Sequence, residues 1–131
     1  MRFRAEQHLR RPVEIRAVRE LGRRIDCRAF TVWWKKRDFD ATTPPAPPLR
    51  PRVCVIASAK SVGSAVERNR AKRRLREVFR HQQHLVPAQC DLLLIARDTA
   101  KSWPFAQMED AFADACRRIQ NSTSGQALPA S

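Results

Sequence analysis

The sequence predicts an α/β or α+β sandwich, and three observations carry that class. A strand, a helix, a second strand and a second helix succeed one another over residues 53–59, 65–83, 91–97 and from Pro104 onward, which implies a βαβ crossover. The run Leu92–Ala96 is continuously apolar, as a strand buried on both faces is. The chain has 131 residues, 43% of them apolar, enough for one domain with its own core.

The first element is a short helix over 12–21. Pro12 suits a first helical turn and Gly22 a C-terminal stop, and Val13, Ile15, Ala17, Val18 and Leu21 are interleaved with Arg16 and Arg19. Asp26–Lys36 then alternates and is rich in β-branched and aromatic residues, which predicts a strand. Phe30, Val32 and Trp34 share one face; Cys27, Ala29, Thr31 and Trp33 share the other. Trp33 and Trp34 therefore point in opposite directions, and at least one of them faces away from any single core.

Thr42-Thr43-Pro44-Pro45-Ala46-Pro47-Pro48 holds four of the nine prolines. It is a loop or a stiff extended linker, too short to separate two domains. Val53–Ala59 is the next strand, a helix fills roughly 65–83, and Asp91–Arg97 follows as a strand. Ser102-Trp103-Pro104 opens the last helix, with Phe105, Met108, Phe112, Ala115 and Ile119 on one stripe. The domain is expected over 1–120. Asn121–Ser131, small and polar, is expected to be a flexible tail.

Charge narrows the function. There are 26 Lys+Arg against 13 Asp+Glu, a formal charge of +13. Residues 1–80 carry 22 basic and 8 acidic side chains, residues 81–131 only 4 and 5. So uneven a distribution describes a binding face for a polyanion rather than a solvated coat. Arg outnumbers Lys by 21 to 5, and the planar guanidinium favours bidentate phosphate contacts. No apolar run approaches the roughly 20 residues of a membrane span, so no membrane partner is expected. Met1-Arg2-Phe3-Arg4 is basic, with no apolar region before Pro12 to make a secretory signal. Cys27, Cys54, Cys90 and Cys116 form no C-x-x-C pair and lie in or beside apolar stretches, which points to reduced, buried thiols in a cytoplasmic protein. His81 and His84 lack a third ligand nearby to make a metal site.

The chemistry concentrates in Val66–Arg80, where seven of fifteen residues are basic. At 100° per residue, Ala71, Leu75, Val78 and Phe79 form an apolar stripe. Asn69, Arg73, Arg76 and Arg80 point the opposite way, flanked by Arg70 and Lys72. Arg68 and Arg74 lie close to the buried stripe, either snorkelling over it or binding something beside the helix. Glu67 and Glu77 are too few to neutralise these cations. A basic helix of this kind enters a DNA major groove or meets RNA through phosphates and shape; composition alone does not choose between them.

The string Ala65-Val66-Glu67-Arg68-Asn69-Arg70-Ala71-Lys72-Arg73, followed by Leu75-Arg76-Glu77-Val78-Phe79-Arg80, closely resembles the RNR signature of the bacterial ribonuclease P protein subunit family. Lys60-Ser61-Val62-Gly63 resembles that family's Lys-Lys-Val-Gly approach to the helix. Leu94-Ile95-Ala96-Arg97 resembles its last long strand, and Leu9-Arg10-Arg11 through Gly22 its first helix. The resemblance covers roughly residues 8–119.

It implies an α+β fold: a two-layer α-β sandwich of order αβββαβα with a left-handed βαβ crossover, related to the second domain of ribosomal protein S5. The extra strand would lie within Arg23–Val32 and its continuation through Trp33–Arg37. It further implies a non-catalytic protein partnered with ribonuclease P RNA. That RNA uses Mg2+ to hydrolyse the 5′ leader from precursor tRNA, and the protein helps hold the leader between the sheet and the first helix. The protein alone would be monomeric, and the holoenzyme one RNA with one protein. The absence of a nucleophile–base pair and of a Gly-rich phosphate loop agrees with this.

By this resemblance Arg68, Asn69, Arg70, Lys72, Arg73, Arg74, Arg76 and Arg80 would contact the RNA subunit. Ile15, Arg19, Phe30, Trp33, Lys60, Arg97 and Phe105 would contact the leader. Ile15 and Arg19 stand where the family commonly has aromatics, and Ser61 replaces the second Lys, which shifts leader contacts toward charge. Phe30, Trp33 and Phe105 either line the cleft, where a ring stacks on any base, or pack inside. A structural ribosomal or RNA-assembly protein without a leader site is the alternative. A DNA-binding regulator would need a second packed helix after the basic one, where Pro87 and a buried strand stand instead.

Overall fold

The computed structural model describes residue 9 and residues 11–37 and 50–123; the Pro-rich segment 42–48 lies outside these. Helix α1 (Pro12–Leu21) leads into strands β1 (Arg23–Asp26) and β2 (Phe30–Lys36). Strand β3 (Arg52–Ile56), the single turn α2 (Ala59–Val62) and helix α3 (Ala65–Gln82) follow. Strand β4 (Cys90–Ala96) and helix α4 (Phe105–Thr123) complete the described part. Apart from α2, this is the αβββαβα order.

The strands form a sheet ordered β1-β2-β4-β3. β1 pairs with β2 and β2 with β4 in antiparallel fashion, whereas β3 and β4 run parallel, joined through α2 and α3. β4 is central and almost wholly buried, as its unbroken apolar run predicts. Its odd and even residues serve different layers. Leu92 and Leu94 join Phe30, Val32, Trp34 and Val53 in the main core under α3 and α4. Leu93 joins Leu9 and Val18 beneath α1, with Ile15, Trp33, Cys54, Ile56 and Ile95 half-buried around them.

The strand expected over 26–36 is instead a hairpin, broken at Cys27–Ala29. Arg28 adopts the left-handed region with φ 70°. The Asp26 carboxylate accepts from the Arg28 amide at 3.0 Å, a local hydrogen bond that competes with the ladder. The turn resets the alternation, so Cys27 and Ala29 lie in the main core rather than on Trp33's face. Gly22 joins α1 to β1 where a Cβ would collide with the carbonyls of Val18 and Trp34.

Strand β3 ends at Ile56, short of the expected Ala59, because Ser58 caps α2, its hydroxyl accepting from the Ser61 amide at 3.1 Å. Gly63, at φ 122°, then turns the chain into α3. A capping box starts α3: Ser64 Oγ accepts from the Glu67 amide at 3.2 Å, and Glu67 Oε1 accepts from the Ser64 amide at 3.1 Å. α4 continues to Thr123, three residues into the expected tail; residues 124–131 lie outside the described part.

At the end of the sheet where β3 and β4 begin, Asp91 is 6% exposed. It accepts from Arg37 Nη1 at 2.7 Å and from Arg52 Nε and Nη2 at 2.8 Å. Arg52 also reaches Glu14 of α1 at 3.4 Å, and the Asp91 hydrogen bond strengthens Arg52's hold on its proton. The cluster ties α1 to that end of the sheet.

Candidate nucleic-acid interface

Helix α3 divides its residues as its periodicity dictates. Ala71, Leu75, Val78 and Phe79 are buried. Asn69, Arg73, Arg76 and Arg80, with Glu77, line a shallow surface groove of about 390 Å³. Arg70 is exposed and Lys72 half-buried beside it. Arg68 is half-buried, and its Nε has no hydrogen-bond partner among the described residues. The groove is a row of solvent-facing donors with one carboxylate in it, a surface suited to phosphate oxygens.

Arg74 does not belong to that surface. Its Nε donates to the Ala100 carbonyl at 3.0 Å and its Nη2 to the Trp103 carbonyl. The guanidinium also lies 5.9 Å from the Phe105 ring centroid. Desolvation and then the charge of Arg70 weaken its hold on its proton. Of the two fates the sequence allows for an Arg beside the apolar stripe, Arg74 takes the intramolecular one.

Other contacts hold α3 in place. Lys101 Nζ donates to the Val62 carbonyl at 3.1 Å and to Glu67 at 2.9 Å, and it pairs with Asp98 at 2.9 Å. Glu67 is consequently held below the usual carboxylate range, chiefly by the Lys101 hydrogen bond. At the far end, His81 Nδ1 meets Glu109 of α4 at 2.7 Å. The cationic face thus rests on a helix fastened at both ends, which limits the entropy lost on binding.

On the opposite side of the sheet, α1 leaves an apolar strip partly open. Trp33, Cys54, Ile56, Ile95 and Ile15 are half-buried there. The Arg19 and Arg24 guanidiniums lie 5.0 Å and 6.0 Å from the Trp33 ring centroid, within cation–π range. Arg97, directly after β4, pairs with Asp26 at 3.1 Å. Lys60 is exposed just beyond β3. Because β3 and β4 are parallel, both cations sit at the same end of the sheet. Burial pushes the Cys54 thiol up, against the smaller pull of Arg76 and Lys72.

Five of the seven residues assigned to the leader therefore lie on or at the end of the α1 side: Ile15, Arg19, Trp33, Lys60 and Arg97. Two do not. Phe30 is fully buried on the other face, its ring 6.4 Å from that of Phe112. Residues 30 and 33 have opposite parity along β2, so the two rings cannot share a face. Phe105 packs against the main core and stacks edge-on against His81 at 5.8 Å. Phe30 follows the core alternative, and Phe105 is half-buried against the edge of the same core, away from the α1 side. Arg24 was not anticipated, because its position opposite Trp33 depends on the hairpin register.

Among the described residues no group of three His, Cys, Asp or Glu could hold a metal ion. No described helix is long and apolar enough to cross a membrane. All four cysteines are free. The architecture is that of a small α+β domain with a cationic helix on one side of its sheet and an Arg-flanked tryptophan on the other, the class of small basic domain whose surface is suited to a polyanion.

Comparison with known proteins makes that specific. The family model described as Ribonuclease P matches residues 3–120. A ribonuclease P protein component from Desulfovibrio desulfuricans is 38% identical over 92 residues, covering 70% of this chain and 65% of that protein. One from Acidothermus cellulolyticus is 29% identical over 118 residues, 90% of this chain and 92% of the relative. The RNase P protein from Thermotoga maritima has the same fold, with a TM-score of 0.68 at 22% identity over 86% of this chain and 96% of that one. The chain belongs to the ribonuclease P protein family.

Proposed function

We propose that this chain is the protein component of a ribonuclease P ribonucleoprotein, with α3 on the catalytic RNA and the α1-side strip on the 5′ leader of precursor tRNA. The observation that carries this reading is the segregation of two chemistries across one sheet. The α3 groove is lined by three Arg, one Asn and one Glu, with no aromatic ring among them. The α1 side couples an apolar floor and one tryptophan to flanking cations. The first suits the continuous phosphate surface of a folded RNA, the second a single strand whose bases need a π-face.

In this reading the chain carries out no bond chemistry. Asn69, Arg70, Lys72, Arg73, Arg76 and Arg80 neutralise RNA phosphates, with Arg68 at their edge. Trp33 and Ile15 offer apolar contact to leader bases, and Arg19, Lys60 and Arg97 neutralise leader phosphates. Mg2+ supplies the hydrolytic chemistry when bound. The α3 face is cationic and the described residues offer no metal-ligand cluster, so they do not fit a protein-held ion, and Mg2+ is assigned to the RNA. The assembly is proposed as one protein with one RNA, the free protein being monomeric and cytoplasmic.

Reconstitution tests this. Added to a bacterial ribonuclease P RNA at low Mg2+, the chain should restore cleavage of the leader from precursor tRNA. Affinity for precursor tRNA should rise with leader length until the strip is filled. Restored cleavage with no dependence on leader length would sink the leader assignment and leave a purely structural RNA partner.

A further inference from the structure

Glu77 is out of place on a surface built for phosphate. It lines the α3 groove with Asn69, Arg73, Arg76 and Arg80, and it alone among the five accepts hydrogen bonds without donating any. A carboxylate there repels phosphate oxygens and cancels one of the three guanidinium charges. If the groove only neutralised a backbone, the position would be better filled by almost any other side chain.

Its geometry describes an oriented acceptor. Arg80 Nη2 donates to Oε1 at 2.8 Å and Arg80 Nε to Oε2 at 3.2 Å, a two-point contact that fixes the carboxylate plane. His81 Nε2 lies 3.4 Å from Oε1. The Arg80 hydrogen bond holds the Glu77 carboxyl below its ordinary range, so it is ionised and acceptor-only near neutral pH. A carboxylate has about four acceptor positions, of which Arg80 takes one on each oxygen, and the side chain remains 43% exposed.

A nucleic-acid backbone has one group that can donate to such an acceptor. Phosphate, ring and ester oxygens only accept, whereas the ribose 2′-hydroxyl also donates, and DNA lacks it. We infer that Glu77 is a specificity-determining residue that accepts a hydrogen bond from a ribose 2′-hydroxyl while Arg73, Arg76 and Arg80 hold the neighbouring phosphates. The pairing makes α3 a reader of ribose, not only of charge. Its cost in repulsion falls on any backbone lacking the hydroxyl, so discrimination arises from both signs of the interaction.

This inference rests on the assignment of α3 to an RNA, and the experiment separates the two. The full chain and Glu77→Ala are titrated with a hairpin RNA, its all-deoxy counterpart and a 2′-O-methyl version of the same sequence, after thermal melts show that both proteins fold. The parent chain should prefer RNA to both analogues. Glu77→Ala should lower that preference by about tenfold, the worth of one hydrogen bond to a charged group, without weakening DNA binding. Equal losses on RNA and DNA would mean that Glu77 only positions Arg80, and would overturn the inference. So would an unchanged preference, or discrimination that follows replacement of guanine by inosine and ignores the sugar. A parent chain that binds none of the three would overturn the RNA assignment of α3 itself.

Discussion

Replacing Arg73 and Arg76 together with alanine should change how RNA binding depends on salt, and replacing Arg74 should not. Arg73 and Arg76 line the solvent groove of α3, so each is positioned to neutralise one phosphate. Every phosphate neutralised adds about 0.7–0.9 to the slope of log affinity against log salt. The double variant should therefore lose about 1.4–1.8 from that slope. Between 50 and 200 mM salt the parent's affinity should fall about 7- to 12-fold more than the variant's. Arg74, two residues from Arg76, donates instead to the carbonyls of Ala100 and Trp103. Arg74→Ala should keep the slope and lower stability by roughly 1.5–3 kcal/mol, as lost hydrogen bonds from a half-buried charged donor do. Filter binding across a salt series and urea melts measure both quantities. A slope flattened as much by Arg74→Ala as by the double variant would refute the division of α3 into an RNA face and a packing face.

Asp91→Ala should cost about 3 kcal/mol, because it removes the buried acceptor that Arg37 and Arg52 share, leaving them their contacts to the Arg50 and Ala88 carbonyls and to Glu14; a thermal midpoint within a degree or two of the parent's would contradict that. Phe30→Ala should lose a similar amount through cavity formation, about 3–5 kcal/mol, while protein that remains folded binds leader normally. Trp33→Ala should instead weaken leader binding by about 5- to 150-fold, and the reverse pattern would exchange the two assignments. Alkylation of the native protein followed by mass spectrometry should modify half-buried Cys54 first. Burial pushes Cys27 and Cys116 up to about 12 and Cys90 to about 11, so rapid labelling of those three would indicate an open core. Asp26, Glu67 and Glu77 all titrate lower in the folded chain than usual, through hydrogen bonds from Arg28, Lys101 and Arg80 respectively. The unfolded chain therefore binds their protons first. The stability they contribute is present above about pH 4 and is lost as pH falls through the folded values. A urea midpoint that rises on acidification from pH 5 to 3 would oppose this sign.

The cationic residues of the α3 groove were legible one by one, since a helix fixes which side chains share a face from spacing alone; that Glu77 lines the groove with them was not. Asn69, Arg73, Arg76 and Arg80 converge as the 100° rotation requires. The α1 side was legible only in part. Its composition depends on which strand residues face α1, and that depends on where the hairpin turns. Cys27-Arg28-Ala29 carries no Gly, Pro or Asn to mark a turn. A non-glycine residue with positive φ and an Asp26 side-chain contact do that work instead.

The sequence alone settled the first helix, the later strand–helix–strand–helix succession, the buried strand β4, the cationic helix and the ribonuclease P family resemblance, whose family order supplied the extra strand. All of these rest on local periodicity or on a contiguous motif. Only the tertiary structure decided that Phe30 belongs to the core and Phe105 to its edge, that Arg74 is a packing residue, and that Arg24 joins Arg19 over Trp33. Those outcomes turn on strand register and on carbonyls brought from 26 and 29 residues away. Such distances along the chain leave no periodic trace in the sequence, because they are set by how the layers close on one another.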